Sequence, residues 1–257
     1  MTSMNQPLAK ANKLPKEHVS LLCRAGEQYL AGGQYVEAQR LLRQAETQAW
    51  RQRDGIALAR IYLSLTEASR LLRQQACEGM IVISTQDDGM VRRRMMREFV
   101  GERAGTILLG GRSGDRLVLK MLERVQYAAQ KRGYALEALL LLRCGQKWRV
   151  ASVADPTFAA GLPVCWVQNL SDQRAGKPGH ADEILLPPAG VYPPGSAGAK
   201  LAGESLLAAH ELLALKWQAR HLVRASRWVE MDWLRRAIRI DPACEPVLMR
   251  LLALAGG

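Results

Sequence analysis

The chain has 257 residues, of which 48% are hydrophobic, and a formal net charge of +12. This content of apolar residues excludes a disordered tail and can fill the core of one large domain or two modest ones. No apolar run approaches the roughly 20 residues of a membrane span. Residues 1–16 are polar and lack the apolar stretch of a secretory signal. We expect a cytoplasmic protein with no membrane partner, whose residues 1–16 form a loose lead-in.

The positive charge does not predict a nucleic-acid partner. The excess of basic residues is spread along the chain, only two phenylalanines are present, and most Trp and Tyr residues fall within helical patterns. Proteins that bind single strands need exposed aromatic side chains on which bases stack. The net charge can steer an anionic partner towards the protein, but we do not expect binding of DNA or RNA.

The cysteines and histidines do not indicate a metal site. The five cysteines are scattered with no CxxC pair, and the four histidines lack the HExxH spacing. Zinc sites and disulfide frameworks have recognisable spacings. We therefore expect buried, reduced thiols, no metal and no cofactor.

Residues 17–78 have the apolar period of three helices. Gly32 and Gly33 interrupt the pattern between the first two helices, as a tight turn requires, and the third helix starts at about Ile56. The side chains expected to pack the first pair together are Leu22, Ala25, Tyr29, Ala38, Leu42 and Ala45.

This first pair resembles a tetratricopeptide repeat. The matching residues are Ala25-Gly26-x-x-Tyr29, Gly33-x-Tyr35-x-x-Ala38, Leu42 and Ala45. The match departs at Trp50-Arg51, where the family has a proline. A weaker match in residues 201–257 consists of Leu234, Ala237 and Ile238 to Pro242. The resemblance implies helical hairpins that bind a partner protein; the alternative is generic hairpins. Because stacked repeats need about three units, the two pieces must pack on each other, on the central region or on another chain.

Residues 79–200 change to an alternation of apolar strands and amphipathic helices. The predicted strands are 80–84, 106–110, 136–142, 148–153, 163–167 and 184–186, and the predicted helices run from about Asp88 to Glu102 and from about Asp115 to Arg132. Residues 171–200, rich in Gly and Pro, indicate a loop into the C-terminal helices. Fully apolar strands are typical of a parallel sheet covered on both faces. We predict an α/β protein with a mainly parallel central sheet, helices on both faces, and flanking helical hairpins of tetratricopeptide type.

The strongest candidate for a binding site is the junction after the second predicted strand. Its residues are Gly110, Gly111, Arg112, Ser113 and Gly114. Main-chain N–H groups at such a strand-to-helix junction, together with the helix dipole, can hold a phosphate or carboxylate. Ser84 and Thr85 follow the preceding strand, and the carboxyl ends of neighbouring parallel strands share one crevice. The alternative is a tight turn in which Ser113 or Asp115 caps the helix.

The central region also resembles the SIS (sugar isomerase) family of phosphosugar-binding domains. The matching residues are Ser113-Gly114-Asp115, Leu162 to Val167 and Ala181 to Pro187. The resemblance implies that Ser84, Thr85 and Ser113 hold a sugar phosphate. No GxSxG elbow or nucleophile–base setting is recognisable, so the sequence identifies no reaction. The first hypothesis is therefore a non-catalytic interaction or adaptor protein that binds another protein. The alternative is a phosphosugar- or nucleotide-binding α/β protein.

Overall fold

The computed structural model describes residues 16–85, 104–111, 116–144, 147–152, 165–169, 183–221 and 226–257. The helices in these ranges are α1 (Lys16–Ala31), α2 (Tyr35–Gln52), α3 (Gly55–Glu78), α4 (Arg116–Lys131), α5 (Ala197–His221), α6 (Arg227–Ile240) and α7 (Glu245–Gly256). The strands are β1 (Met80–Ser84), β2 (Gly105–Gly111), β3 (Leu136–Cys144), β4 (Lys147–Ser152), β5 (Cys165–Asn169), β6 (Glu183–Leu186) and β7 (Gly190–Tyr192). Residues 1–15 of the predicted lead-in 1–16, and the predicted helix from Asp88 to Glu102, lie outside the described residues. Lys16 already belongs to α1.

Helices α1 and α2 form the predicted hairpin, with Gly33 at φ 74° in the turn between them. This left-handed conformation favours glycine because other residues place a Cβ against the main chain. The helices approach closely at Gly26, where an added Cβ would lie 2.6 Å from Leu42 Cγ. The expected role of Tyr29 is wrong, because α1 turns Val19 and Cys23 into the core and leaves Tyr29 38% exposed.

The N-terminal and C-terminal helical segments pack on each other. One continuous core joins side chains of α1, α2, α3, α6 and α7 with the far part of α5. Its fully buried members include Leu42, Leu58, Ala237, Val247 and Leu251. Helix α7 lies against both α3 and α6. Of the three possibilities left open by the sequence, the structure therefore shows direct packing between segments that are more than 100 residues apart.

The strands form one mixed sheet in the order β6-β5-β4-β3-β2-β1-β7. The apolar runs 81–84, 106–109 and 137–142 form the adjacent parallel strands β1, β2 and β3, as predicted. The prediction of a mainly parallel sheet is confirmed only in part. Strands β5 and β6 are also parallel, but β4 is antiparallel to both β3 and β5, and β7 is antiparallel to β1. Only two residues separate β3 from β4, whereas a parallel pair needs a crossover of a dozen or more. Residues 171–200 contain β6, which was predicted, and β7, which was not.

The sheet curves strongly, and chain connectivity requires this. Strands β6 and β7 are at opposite edges, yet only residues 187–189 separate them. Three extended residues keep the two strand ends within about 14 Å, whereas the edges of a flat seven-stranded sheet are about 29 Å apart. Helix α5 contacts β1, β5 and β6. The curved sheet therefore wraps around this helix.

Helices cover both faces of the sheet, as predicted. Alternate strand residues point to opposite faces, so Val82, Ile107 and Leu140 pack on α4 while Ile81, Leu108 and Leu139 pack towards α5 and the end of α3. No helix among the described residues is long and apolar enough to cross a membrane. The helical unit and the sheet share α3 and α5, so the grooves beside these two helices are bounded by both parts of the molecule.

Candidate functional site

The ends of β1 and β2 bring together four of the residues that the sequence singled out. Ser84 pairs in register with Leu109, so Thr85 and Gly110 lie side by side. A Cβ at Gly110 would lie 2.9 Å from Thr85 Cα, which requires glycine whether or not a ligand binds there. Ser84 is buried, and Thr85 is partly exposed. Gly111 ends β2 and pairs with Leu142 of β3.

The remaining candidate residues, Arg112, Ser113 and Gly114, lie outside the described residues. The convergence of the two strand ends is the geometry that an anion-binding crevice requires. A close main-chain approach at Gly110 is equally what a tight turn requires. Binding of an anion at this edge stays a prediction.

A cleft of about 840 Å³ lies between α3 and α5 and is bounded also by residues 241–243. The two helices touch where a Cβ on Gly203 would lie 2.8 Å from the carbonyl oxygen of Cys77. The apolar part of the cleft lining comprises Cys77, Ala199, Gly203, Leu207 and Ala208. The charged part includes Arg70, Glu78, Lys200, Glu204 and Glu211. Leu207 is 42% exposed, so an apolar surface flanked by charges of both signs faces the solvent.

A buried ion pair forms one wall of this cleft. Arg73 of α3 donates from Nη1 to Oδ1 of Asp241 at 3.0 Å, and both side chains are almost fully buried. Asp241 also accepts a hydrogen bond from the main-chain N–H of Ala243 at 3.0 Å. Because Asp241 directly follows α6, this ion pair connects the hairpin of α6 and α7 to α3 and fixes the position of residues 241–243.

Two further side chains extend the network into the sheet. Glu137 of β3 places Oε1 3.8 Å from Nη2 of Arg73 and 3.6 Å from Nε2 of His210 on α5. Burial lowers the pKa of His210 well below its ordinary value of 6.5, and the charge of Arg73 lowers it further against an opposing main-chain contact from Ile240. His210 is therefore a neutral imidazole at physiological pH and not a cation.

A second buried carboxylate joins α2 to α6. Glu46 is 2% exposed and accepts hydrogen bonds from Arg235 Nε at 2.7 Å and Arg239 Nη2 at 3.5 Å. Burial raises the pKa of Glu46, but the hydrogen bond from Arg235 and the charges of Arg235, Arg239 and Arg43 outweigh it, so this pKa lies below its ordinary value. Burial instead raises the pKa of Glu137, which Arg73 and Arg43 offset only in part.

The described cysteine side chains fit the expectation of buried, reduced thiols. Cys23, Cys77 and Cys244 are buried and free. Burial, reinforced by Glu27, raises the pKa of Cys23 to about 11. Burial and Glu137 likewise raise the pKa of Cys77 to about 12. Thiols with such pKa values are poor nucleophiles and poor metal ligands near neutral pH. Within the described ranges, no group of three or more His, Cys, Asp or Glu residues could hold a metal ion.

The charged residues at core positions were not predicted, although they leave a signal in the sequence. In α2, Glu46 is four residues after Leu42 and lies in the buried stripe of the helix. In α3, Arg73 follows Leu65 and Ser69 at intervals of four residues and also lies in the buried stripe. Glu137 likewise stands inside an apolar strand. A charge at a core position of an amphipathic pattern is costly unless it is paired, so each of these positions predicts a buried partner. The pattern does not say which partner.

Comparison of the chain with protein-family models, with curated proteins and with solved structures found no significant match.

Proposed function

We propose that the protein is a non-catalytic interaction or adaptor protein that binds a short segment of a partner protein in the cleft between α3 and α5. The observation that carries the proposal is the cleft itself, which the N-terminal and C-terminal helical segments build together. Its volume of about 840 Å³ lies within the range of ligand-binding clefts. A partner segment would place apolar side chains on Leu207 and Ala208 and charged side chains on the rim.

The chemistry of the lining favours binding over catalysis. Cys77 is a neutral thiol at physiological pH because its pKa is raised to about 12. The carboxylate of Asp241 already forms an ion pair with Arg73. The other charged groups belong to a rim with both signs, which suits the mixed charges of a peptide. Apolar grooves between helices commonly accept an amphipathic helix of a partner.

Selection of peptides from a random library displayed on phage tests this proposal. We expect the protein to enrich peptides whose binding is lost in Ala208→Trp, because the indole occupies space in the cleft that the peptide needs. The matched control is Ala253→Trp, since Ala253 is also an exposed helical alanine but lies on α7, away from the cleft. If no peptide is enriched, or if both variants bind the peptides equally, the proposed function is wrong.

We also propose that the flanking helices are of tetratricopeptide type. The support is the close approach of α1 and α2 at Gly26 and the complete burial of Ala38 and Ala45. Small residues at such positions are the feature by which residues 17–76 resemble that family.

A phosphosugar- or nucleotide-binding site of SIS type is the second candidate function. The observation that favours it is the convergence of Thr85 and Gly110 at the ends of adjacent parallel strands. If it is correct, Gly114→Val and Ser113→Ala should abolish thermal stabilisation by phosphorylated compounds while the helical circular dichroism is retained. If both variants respond like the parent, the strand ends form only a turn.

A further inference from the structure

A second, smaller cavity shares Arg73 and Pro242 with the cleft and lies between α2, α3, α4, β3 and the end of α6. Its volume is about 150 Å³, below the range of pockets for drug-sized ligands, so it suits an ion or one chemical group. The side chains that line it are mainly polar. They include the three arginines Arg43, Arg73 and Arg239 and only one carboxylic acid, Glu137.

The arginines in this pocket have N–H groups that the described protein leaves unused. Arg73 is 7% exposed, and its Nε has no hydrogen-bond partner among the described residues. Nε of Arg239 is likewise buried and unpartnered within the described ranges. The guanidinium of half-buried Arg43 makes no hydrogen bond in the described part of the chain. Because buried donors are almost always paired, the two buried Nε groups of Arg73 and Arg239 point to an acceptor that binds in the pocket.

The charges around the pocket are also unbalanced. Arg43 is repelled by Arg239, Arg235 and Arg73, and Glu46 is the nearby opposing charge. Glu46 in turn already pairs with Arg235 and Arg239, and Asp241 pairs with Arg73. Glu137 also lies 3.8 Å from Arg73, but burial raises its pKa and so disfavours its charged form. Like charges gathered out of water are costly unless an opposite charge accompanies them. A bound anion would supply that charge.

We propose that this pocket binds a phosphate group through Arg43, Arg73 and Arg239. The planar guanidinium presents N–H donors in a fork that matches the oxygens of phosphate, and several such groups around one small cavity fit a tetrahedral oxyanion. The group is either free inorganic phosphate or the phosphate of a monoester. This site is separate from the strand ends at Thr85 and Gly110, and from the apolar lining of the cleft.

Calorimetric titration and thermal melts with inorganic phosphate and with glycerol 3-phosphate test the proposal, in chloride buffer at constant ionic strength. We expect saturable binding and a rise in Tm for the parent, and affinity at least about tenfold weaker for Arg43→Gln, which loses charged hydrogen bonds. Arg40→Gln is the matched control, because Arg40 is exposed one turn earlier in α2 and pairs with Glu37. Without phosphate, Arg43→Gln should melt at or above the parent, since it removes repulsion among arginines.

The two ligands distinguish the sources of the group. Binding of inorganic phosphate alone assigns a free ion, and binding of both assigns the phosphate of a monoester; either supports the proposal. Arg239→Gln provides a second variant if Arg43→Gln does not fold. Absence of saturable binding, or equal affinity of the parent and the folded arginine variants, overturns it. If Ser113→Ala loses binding while Arg43→Gln keeps it, phosphate binds at the strand ends and the pocket is not the site.

Discussion

At the scale of single residues, the carboxyl groups of buried Glu46 and half-buried Glu137 respond to their surroundings in opposite directions. Glu46 accepts hydrogen bonds from Arg235 and Arg239, and its pKa lies below the ordinary value of 4.5. The pKa of Glu137 lies above the ordinary value, because burial outweighs the attraction of Arg73 and Arg43. A group whose pKa is lowered on folding stabilises the folded state while it is ionised, and a group whose pKa is raised does the reverse.

We therefore predict opposite pH trends for two matched variants. Glu46→Gln should lower the free energy of unfolding at pH 7 by about 1–3 kcal/mol. This difference should vanish as the pH falls below 4.5 and Glu46 of the folded parent becomes protonated at its lowered pKa. Glu137→Gln should become more stable relative to the parent as the pH rises above 4.5, because Glu137 then ionises more readily in the unfolded parent than in the folded parent. Urea unfolding between pH 3 and pH 7 measures both trends.

The two trends serve as controls for each other, because the same amide replaces the same acid in both variants. Parallel pH profiles would show that general effects of pH on the unfolded chain dominate. A Glu46→Gln variant as stable as the parent at pH 7 would contradict the assignment of a stabilising ion pair between α2 and α6.

At the scale of elements, the α1–α2 hairpin depends on the absence of a side chain at residue 26. A Cβ there would lie 2.6 Å from Leu42 Cγ and 3.4 Å from the carbonyl oxygen of Ala38. We predict that Gly26→Val destabilises the protein by about 1–3 kcal/mol through overpacking. Leu42→Ala should cost about 2–5 kcal/mol, but the double variant should cost less than the sum, because valine fills the space that leucine leaves.

Chemical unfolding of the parent, both single variants and the double variant measures this coupling. Gln28→Val is the control for the low helix propensity of valine, because Gln28 is exposed on the same helix. Additive costs for Gly26→Val and Leu42→Ala would show that the two residues are not in contact.

The elements themselves were largely predictable, and their arrangement was only partly so. The apolar runs of β1, β2 and β3 and the amphipathic period of α4 are local patterns, and the structure confirms them. The direction of β4 follows from the two-residue link after β3, which the prediction of a mainly parallel sheet did not take into account. The pairing of β7 with β1 joins residues more than 100 positions apart, and a three-residue strand carries no pattern that specifies such a partner.

At the scale of the whole molecule, the N-terminal and C-terminal helical segments share one core. Leu251 of α7 is fully buried in the cluster that contains Leu42 and Leu58. We predict that Leu251→Ala destabilises the protein by about 2–5 kcal/mol. It should also reduce amide hydrogen-exchange protection in α2 and α3 as much as in α6 and α7, because helices in one cooperative unit open together.

Met249→Ala is the control for the Leu251 prediction, because Met249 is 58% exposed on the same helix. It should leave protection in α2 and α3 unchanged. If Leu251→Ala lowers protection only in α6 and α7, the two helical segments are separate cooperative units.

The cleft is a property of the whole molecule and was not predictable from local patterns. Its walls come from α3, α5 and residues 241–243, and no period in the sequence specifies how these segments meet. The sequence indicated amphipathic helices in both terminal segments and small residues between the first two helices. It also singled out Ser84, Thr85 and Gly110, whose strand ends do converge. The buried pair of Arg73 and Asp241, which orients the cleft, depends on a contact over 168 residues.

Photocrosslinking from the cleft tests the central claim most directly. Benzoylphenylalanine in place of Leu207, which lines the cleft and is 42% exposed, should crosslink to a peptide selected by the protein. The same residue in place of Tyr127, which is 59% exposed on α4, should not. Mass spectrometry of the irradiated complexes identifies the crosslinked positions. Crosslinking from position 127, or none from position 207 in a variant that still binds the peptide, would contradict binding in the cleft between α3 and α5.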